Sequence, residues 1–438
     1  MSNFLEQAQK AAQQGDWLRL SQFLQQWLLT EPNVPLLEAD TRQGLALALM
    51  VLETGDFQAR WDVAKVFPAL GEAAIAPLID LLQDDEADLE SRWFAARILG
   101  EFDNPDTVQA LIAILQNAED EELSMIAAEA LANLGASAIC ALTSLLANED
   151  TRFLAVQSLS QIRRSETIAP LLSVVNDPQP GIRAMAIDAL GSFHDPRIPP
   201  LLLQALTDPA AIVRRNAVAS LGVRSDLINE LDLVSPLSDR LWDLNLDVCQ
   251  QTAIALGRIG TDAAIDRLFR VLTSPHTPLP LQIETIRALG WAETEKALEC
   301  LQQSLITLDP SHTPVEVFQE MVTILGRWSN PNLKPHAAAI LINLVNSTHP
   351  ITTHPKIKQT IALSLGHLGQ LVAIEPLSQL LADEDIGVQL HAIAALKSLD
   401  FQTSLQHLKT LARQNNLSEA MKRGVAIALQ EWKGEMGG

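Results

Sequence analysis

The chain is poor in cysteine and has no long apolar run, and these two shortages exclude several classes of protein. Its three cysteines among 438 residues, Cys140, Cys249 and Cys300, lie far apart and include no C-x-x-C pair. They cannot form a disulfide framework, and they fit a reducing compartment. No stretch approaches the roughly 18 uninterrupted apolar residues of a membrane span. The first residues do not have the pattern of a signal peptide. The sequence therefore predicts a cytoplasmic protein without membrane insertion.

Positive charge is scarce as well. The chain has 31 Lys and Arg residues against 53 Asp and Glu residues, which gives a net charge of −22. Such a balance disfavours general binding to nucleic-acid phosphates or anionic lipid. We therefore expect no nucleic-acid partner, and a partner with a basic surface fits the charge better.

Short catalytic motifs are missing too. The sequence contains no P-loop, no nucleophile elbow, no H-E-x-x-H and no EF-hand loop. It predicts no catalytic residue, no metal site and no bound cofactor.

What the sequence does contain is a repeat of about 33 residues. An Ala-rich segment ending in Leu-Gly recurs, and a second apolar segment such as AIAPLIDLL follows it after a few residues. The glycines that end the clear Ala-rich copies are Gly71, Gly100, Gly135, Gly191, Gly222, Gly257, Gly290, Gly326 and Gly366.

Both segments have the period of an α-helix. Apolar residues of the second segment recur at i, i+3, i+4 and i+7, as in Ile75, Leu78, Ile79 and Leu82. The Ala-rich segment favours close helix packing, and its terminal Gly is placed to take a left-handed C-cap. One helix pair cannot bury its own apolar face, but stacked pairs can. The sequence therefore predicts an all-α fold, a right-handed α-solenoid of about twelve helix pairs.

Three segments differ in how well they follow the repeat. Residues 1–55 fit the period poorly and are predicted to be a divergent N-terminal helical cap. Residues 56–430 form the predicted solenoid, and residues 431–438 a C-terminal tail.

Individual units resemble HEAT repeats of the phycobilisome-lyase type. The resemblance is carried by Asp177 with Arg183 and IDALG, and by Asp208 with Arg214 and VASLG, and it extends over roughly residues 56–430. It implies a cyanobacterial source and a family that includes bilin lyases, chaperone-like relatives, scaffold proteins and deoxyhypusine hydroxylase. The hydroxylase branch binds a di-iron centre through His-Glu dipeptides, and none of the nine histidines here precedes a glutamate. That branch is therefore rejected.

Aligning the units on their glycines places an arginine eight residues earlier in four of them. These residues are Arg92, Arg152, Arg183 and Arg214. In repeats of this type the arginine pairs with an aspartate of an adjacent turn, so we interpret the four as a structural ladder. The alternative is a row that binds phosphate or carboxylate groups.

The Ala-rich helices of HEAT solenoids line the concave groove, so positions just after the arginine are candidates for binding a partner. These positions combine aromatic residues with arginines, a composition typical of protein-contact hot spots. The alternative is that several of the aromatic side chains belong to the core. The candidates are Trp93, Phe94, Arg97, Phe153, Arg215, Arg258, Arg287, Trp291, Arg327 and Trp328.

The sequence thus predicts a non-enzymatic scaffold or assembly factor that binds partner proteins in a concave groove. Two alternatives stay open. A bilin lyase or bilin-handling chaperone would hold a tetrapyrrole and pair its propionates with arginines, although the scattered cysteines and the lack of tyrosine count against it. An accessory factor in iron–sulfur cluster assembly would share a cysteine with a partner, because three scattered cysteines do not make a cluster site of their own.

Overall fold

The computed structural model describes residues 2–29, 37–117, 120–228 and 231–436, and every regular element within these ranges is helical. The fold is an all-α solenoid of paired helices, as the repeat predicts. Two compact units divide the chain, Met1–Ile198 (unit 1) and Pro199–Gly438 (unit 2).

Unit 1 contains thirteen α-helices within the described ranges. In chain order they are α1 (Ser2–Gln13), α2 (Trp17–Leu29), α3 (Glu38–Thr54), α4 (Phe57–Ala64), α5 (Phe67–Leu70), α6 (Ile75–Gln83), α7 (Leu89–Leu99), α8 (Pro105–Asn117), α9 (Glu121–Leu134), α10 (Ala136–Leu145), α11 (Glu149–Gln161), α12 (Ile168–Ser173) and α13 (Pro180–Gly191).

The remaining helices begin at the boundary between the units. They are α14 (Ile198–Ala205), α15 (Ala211–Gly222), α16 (Val234–Arg240), α17 (Leu246–Ile259), α18 (Asp262–Thr273), α19 (Leu279–Ala292), α20 (Glu295–Thr307), α21 (Val315–Gly326), α22 (Lys334–Asn346), α23 (Pro355–Leu368), α24 (Ile374–Gln379), α25 (Ile386–Leu399), α26 (Phe401–Leu411) and α27 (Glu419–Met436). Short 3-10 turns occupy Gly71–Ala74, Ser165–Thr167, Ser225–Leu227, Pro350–Thr353, Leu371–Ala373 and Leu380–Ala382.

Within each unit the helices of successive pairs stack in two rows. The Ala-rich segments form one row, in which α4, α7, α9, α11 and α13 pack in order in unit 1 and α15, α17, α19, α21, α23 and α25 in unit 2. The second row contains α6, α8 and α10 in unit 1 and α16, α18 and α20 in unit 2. Buried leucines, isoleucines and alanines fill the space between the rows, so each pair covers the apolar face of its neighbour.

Four Ala-rich helices of unit 1 begin at an acidic or amide N-cap. Asp56, Asp88 and Asp120 each accept a hydrogen bond from the backbone N–H three residues later, at 2.9, 2.9 and 3.0 Å. Asn148 accepts one from the N–H of Asp150 at 3.0 Å. These bonds satisfy backbone donors that the first helical turn leaves free. The caps therefore give a common origin from which positions along these helices are counted.

Most of the Leu-Gly glycines do not take the left-handed conformation that the sequence predicts. Gly257 lies inside α17, and a Cβ added to it would stand 2.7 Å from the carbonyl oxygen of Ala288 and 2.9 Å from its Cα. The left-handed cap of this helix is Gly260, three residues later, with φ of 62°. Glycine is needed at 257 because the neighbouring helix passes too close for a side chain. The predicted cap role is thus wrong for Gly257, whereas Gly71 and Gly135 do have positive φ.

The chain ends are more helical than the repeat suggests. Helices α1, α2 and α3 occupy most of the predicted N-terminal cap. At the other end, α27 continues past residue 431, where the sequence predicts a tail, to Met436. The reason is that Trp432 is fully buried, with its ring centroid 5.9 Å from that of Phe401. Residues 437 and 438 lie outside the described residues.

Candidate functional site

The fifth position after the N-cap carries a large apolar residue in four successive Ala-rich helices of unit 1. These residues are Trp61 on α4, Trp93 on α7, Met125 on α9 and Phe153 on α11. Met125 is 50% exposed and Phe153 is 46% exposed, while the two tryptophans are partly exposed. Side chains on the solvent side of a helix row are usually polar. Because these four apolar side chains reach solvent, packing in the core does not account for them, and they mark a candidate interaction surface.

Around the two tryptophans the stripe widens into an aromatic cluster. The Phe94 ring is fully buried and lies 5.6 Å from Phe57, 6.4 Å from Trp61 and 5.1 Å from Trp93, between ring centroids. Phe57 is 54% exposed and stacks on Trp61 at 6.1 Å. The guanidinium of Arg97 lies over the Trp61 ring at 4.5 Å and near the Trp93 ring at 5.7 Å. Phe94 thus supports the rings that reach solvent.

Two of the predicted partner-binding residues are core residues. Phe94 is the buried base of the aromatic cluster, and Trp328 is 2% exposed. Neither side chain can contact a partner in this fold, so for these two residues the prediction is wrong. Phe94 follows Trp93 by about 100° around α7, which turns it inward, and Trp328 follows α21 in a turn that folds its indole back into unit 2.

The glycine-based alignment missed part of the stripe. Helix α9 has 14 residues whereas α7 has 11, so counting back from Gly135 selects Ala127, three residues beyond the correct position. Counting forward from the N-cap Asp120 instead selects Ser124 and then the exposed Met125. In the same way Asp56 leads to Arg60 and Trp61. The N-cap residues were the signal that would have found them.

The fourth position after the N-cap carries the arginines for which the sequence predicts a structural ladder. Arg152, Arg183 and Arg214 each donate to the carbonyl oxygen six residues earlier, at 2.7, 2.8 and 2.8 Å. Arg152 also binds Asp177 at 2.9 Å, in the turn before the next Ala-rich helix. Each of these guanidinium groups is therefore engaged within the fold.

Other residues at this position make related contacts. Arg92 donates to the carbonyl oxygen of Leu82 at 3.0 Å and pairs with Asp85 at 3.2 Å. The Cys249 thiol stands 3.2 Å from the carbonyl oxygen of Asp243, again six residues earlier. Arg60, which the repeat did not predict, is buried and pairs with Asp88 at 2.9 Å and with Glu90. At these helices the residue in the fourth position therefore binds a neighbouring turn, whether it is an arginine or a cysteine.

The candidates in unit 2 are more dispersed. Arg258 and Trp291, which is 54% exposed, line one open cavity of about 620 Å³ at the C-terminal ends of α17 and α19. Arg287 pairs with Glu320 at 2.7 Å, and its pKa is raised chiefly by this hydrogen bond. Arg215 and Arg327 are exposed. The structure thus brings Arg258 and Trp291 together, while the charge of Arg287 is already matched by a carboxylate.

The cysteines are separated and differ in exposure. Cys140 is exposed, whereas Cys249 and Cys300 are buried. Burial raises the pKa of the Cys249 thiol and raises that of Cys300 to about 11. Within the described ranges no three His, Cys, Asp or Glu side chains come together in a way that could hold a metal ion.

Negative charge is concentrated in unit 1. That unit has 12 Lys and Arg residues against 29 Asp and Glu residues, a net charge of −17, whereas unit 2 has 19 against 24, a net charge of −5. The apolar stripe therefore lies on the strongly acidic unit.

No single helix in the described part of the chain has both the length and the apolar composition needed to cross a membrane. One bent pair, Phe57–Ala64 with Phe67–Gln83, reaches that limit by length and composition.

Comparison with known proteins identifies the family. A family model described as HEAT repeats matches residues 75–152, 140–222 and 350–430, which together are more than half of the chain. No curated protein matches the sequence.

Solved structures with a similar fold include importin β in an ammonium sulfate condition, with 15% identity, a TM-score of 0.52, and coverage of 97% of this chain and 64% of that one. A second importin β structure, in a polyethylene glycol condition, has 14% identity, a TM-score of 0.50, and coverage of 94% and 66%. A structure of Kap95p with RanGDP has 13% identity, a TM-score of 0.49, and coverage of 94% and 57%. The chain spans less than two-thirds of the length of these proteins, and at such identities the likeness concerns the fold alone. With the matched repeats and the stacked helix pairs, the chain belongs to the family of HEAT-repeat proteins.

Proposed function

We propose that the protein is a non-enzymatic interaction scaffold that binds a partner protein across the apolar stripe of unit 1. The observation that supports this proposal is the recurrence of a large apolar side chain at one position of four successive helices. The row that carries the stripe is the one that the sequence predicts to line the concave groove. Aromatic and methionine side chains are the residues most enriched at protein interfaces.

The partner surface that fits this stripe is basic. A net charge of −17 on unit 1 attracts cationic surfaces over a distance of about 10 Å at 0.1 M salt. Apolar contacts would then supply most of the affinity, while the charges would raise the association rate and the specificity. Binding should therefore weaken as the salt concentration rises.

The test compares two double variants as bait in an extract of the source organism. Met125→Ala with Phe153→Ala removes half of the stripe without changing the charge. Leu371→Ala with Val372→Ala removes two exposed apolar side chains of unit 2, 53% and 69% exposed, and is the matched control. We expect one set of proteins to be retained by the wild type and the control and lost from the stripe variant. Equal recovery of every protein by all three baits would contradict the proposal.

We also propose, on the Asp177–Arg183 and Asp208–Arg214 motifs alone, that the repeats are of the phycobilisome-lyase type and the source cyanobacterial. The bilin-handling and iron–sulfur alternatives gain no support from a specific contact among the described residues. Adding a linear tetrapyrrole and following its absorbance is the direct test of the first alternative, since a bound bilin would shift its absorption to the red.

A further inference from the structure

The aromatic cluster of unit 1 holds a cation that has no carboxylate partner among the residues that the structure describes. Arg97 lies over the Trp61 and Trp93 rings. Within the described part of the chain, its guanidinium forms neither a salt bridge nor a hydrogen bond. This distinguishes it from Arg60, Arg92 and Arg152, which are all bound to carboxylates in the same unit. The two rings are therefore the main protein contacts that hold the Arg97 charge.

The two Trp rings offer a surface that suits a cation. Trp gives the strongest cation–π interaction of the aromatic residues, and here two Trp rings stand on a fully buried Phe94 with Phe57 at the rim. Phe94 fixes the positions of the rings, so a bound cation would not need to order them. The negative charge of unit 1 adds a long-range attraction for any cationic group.

From these observations we infer that Arg97 is an internal occupant of a binding surface for a cationic side chain, and that an arginine or lysine of the partner takes its place over Trp61 and Trp93. This inference rests on the proposed function, because this surface is one end of the apolar stripe. The exchange is feasible since Arg97 would leave the rings without breaking a salt bridge. Its long side chain would then extend into solvent, where its charge is well hydrated.

The exchange predicts that substituting Arg97 changes the binding affinity in an unusual direction. If Arg97 competes with the partner, its removal strengthens binding of a cationic ligand. If Arg97 itself contacts the partner, its removal weakens binding. Arg97→Ala also makes unit 1 more negative, so a charge-matched control is required. Arg163→Ala supplies it, because Arg163 is an exposed arginine of the same unit outside the aromatic cluster.

The experiment measures binding of a short peptide of alternating arginine and leucine to the full chain by calorimetry. We expect Arg97→Ala to bind this peptide about two- to fivefold more tightly than Arg163→Ala, the factor that corresponds to one exposed cation–π contact. The gain should fall in the order Trp, Phe, Leu when residue 61 is varied in the Arg97→Ala background. A peptide in which glutamate replaces arginine should show no gain.

Three results would overturn the inference. Equal tightening by Arg97→Ala and Arg163→Ala would mean that only net charge matters. Weaker binding by Arg97→Ala would mean that Arg97 contacts the ligand directly. Absence of binding to Arg97→Ala at millimolar peptide would mean that the rings accept no external cation. None of these results depends on Met125 or Phe153, so a failure here is distinguishable from a failure of the proposed function.

Discussion

The guanidinium of Arg214 binds both carboxylate oxygens of Asp243, with Nε–Oδ2 and Nη2–Oδ1 distances of 2.7 and 2.6 Å. The two residues are 29 positions apart, and the pair connects helix α15 to the turn before α17. The Asp243 carboxylate is almost fully buried, and it also accepts a hydrogen bond from the backbone N–H of Asn245 at 2.9 Å. A bidentate pair of this kind fixes geometry as well as charge.

Breaking this pair should destabilise unit 2 substantially. Asp243→Asn leaves the Arg214 charge in place without its carboxylate, and removing one member of a buried pair costs about 3 kcal/mol of unfolding free energy. Urea denaturation followed by circular dichroism measures the change. Asp239→Asn, an exposed aspartate of the same helix–turn segment without a salt bridge among the described residues, should change the free energy of unfolding little. Equal losses in the two variants would contradict the role of the pair.

The Asp243 carboxylate also makes the free energy of unfolding depend on pH. Burial alone would raise the pKa of Asp243, but the hydrogen bonds from Arg214 and from the Asn245 backbone N–H, together with the positive charges of Arg214 and Arg240, outweigh burial, and the pKa is lowered. A carboxylate with a lowered folded-state pKa stabilises the fold above its unfolded pKa of about 3.9. This contribution is lost as the pH falls through the folded-state pKa. The unfolding free energy of Asp243→Asn should therefore fall less steeply than that of the wild type below about pH 4, and parallel curves would refute this link.

Thiol reactivity should separate the three cysteines. Only the thiolate reacts with iodoacetamide, and burial holds the pKa of Cys300 at about 11 and raises that of Cys249. Cys140 is the exposed thiol. At neutral pH we expect one label on the native protein, at Cys140, and three labels in urea, as measured by the intact mass. Labelling of Cys249 or Cys300 in the native protein as fast as Cys140 would contradict their burial, and Cys140→Ser should leave the native protein unlabelled.

How far the sequence could predict this molecule depends on the scale of the feature. The helix pairs, their stacking and the position of the arginines follow from a repeat that can be recognised in the amino-acid sequence. The repeat does not tell which of Trp93 and Phe94 faces solvent, because two adjacent residues on a helix differ only in the direction in which they point around the helix axis. Met125 was missed because three additional residues in α9 shift its distance from Gly135. The burial of Trp328 depends on the path of the turn after α21, which no periodic pattern encodes.

The glycines of the Ala-rich row should be sensitive to the smallest possible substitution. A Cβ at Gly100 would lie 2.9 Å from both Cα and Cβ of Ala130 on the neighbouring helix α9. Such an overlap must be relieved by moving a backbone, which costs about 1–3 kcal/mol and exceeds the gain in helix propensity of roughly 1 kcal/mol. Gly100→Ala should therefore lower the free energy of unfolding of unit 1.

Gly181→Ala is the matched control for this prediction. Gly181 is also helical, in the first turn of α13, but the nearest atom to an added Cβ is in the Phe153 side chain, 3.9 Å away. Here the alanine meets no backbone, so its lower entropy in the unfolded chain should leave stability unchanged or raise it by up to about 1 kcal/mol. Urea denaturation of the two variants decides the point. If Gly100→Ala is as stable as Gly181→Ala, then close helix approach is not the reason for glycine at the end of the repeat.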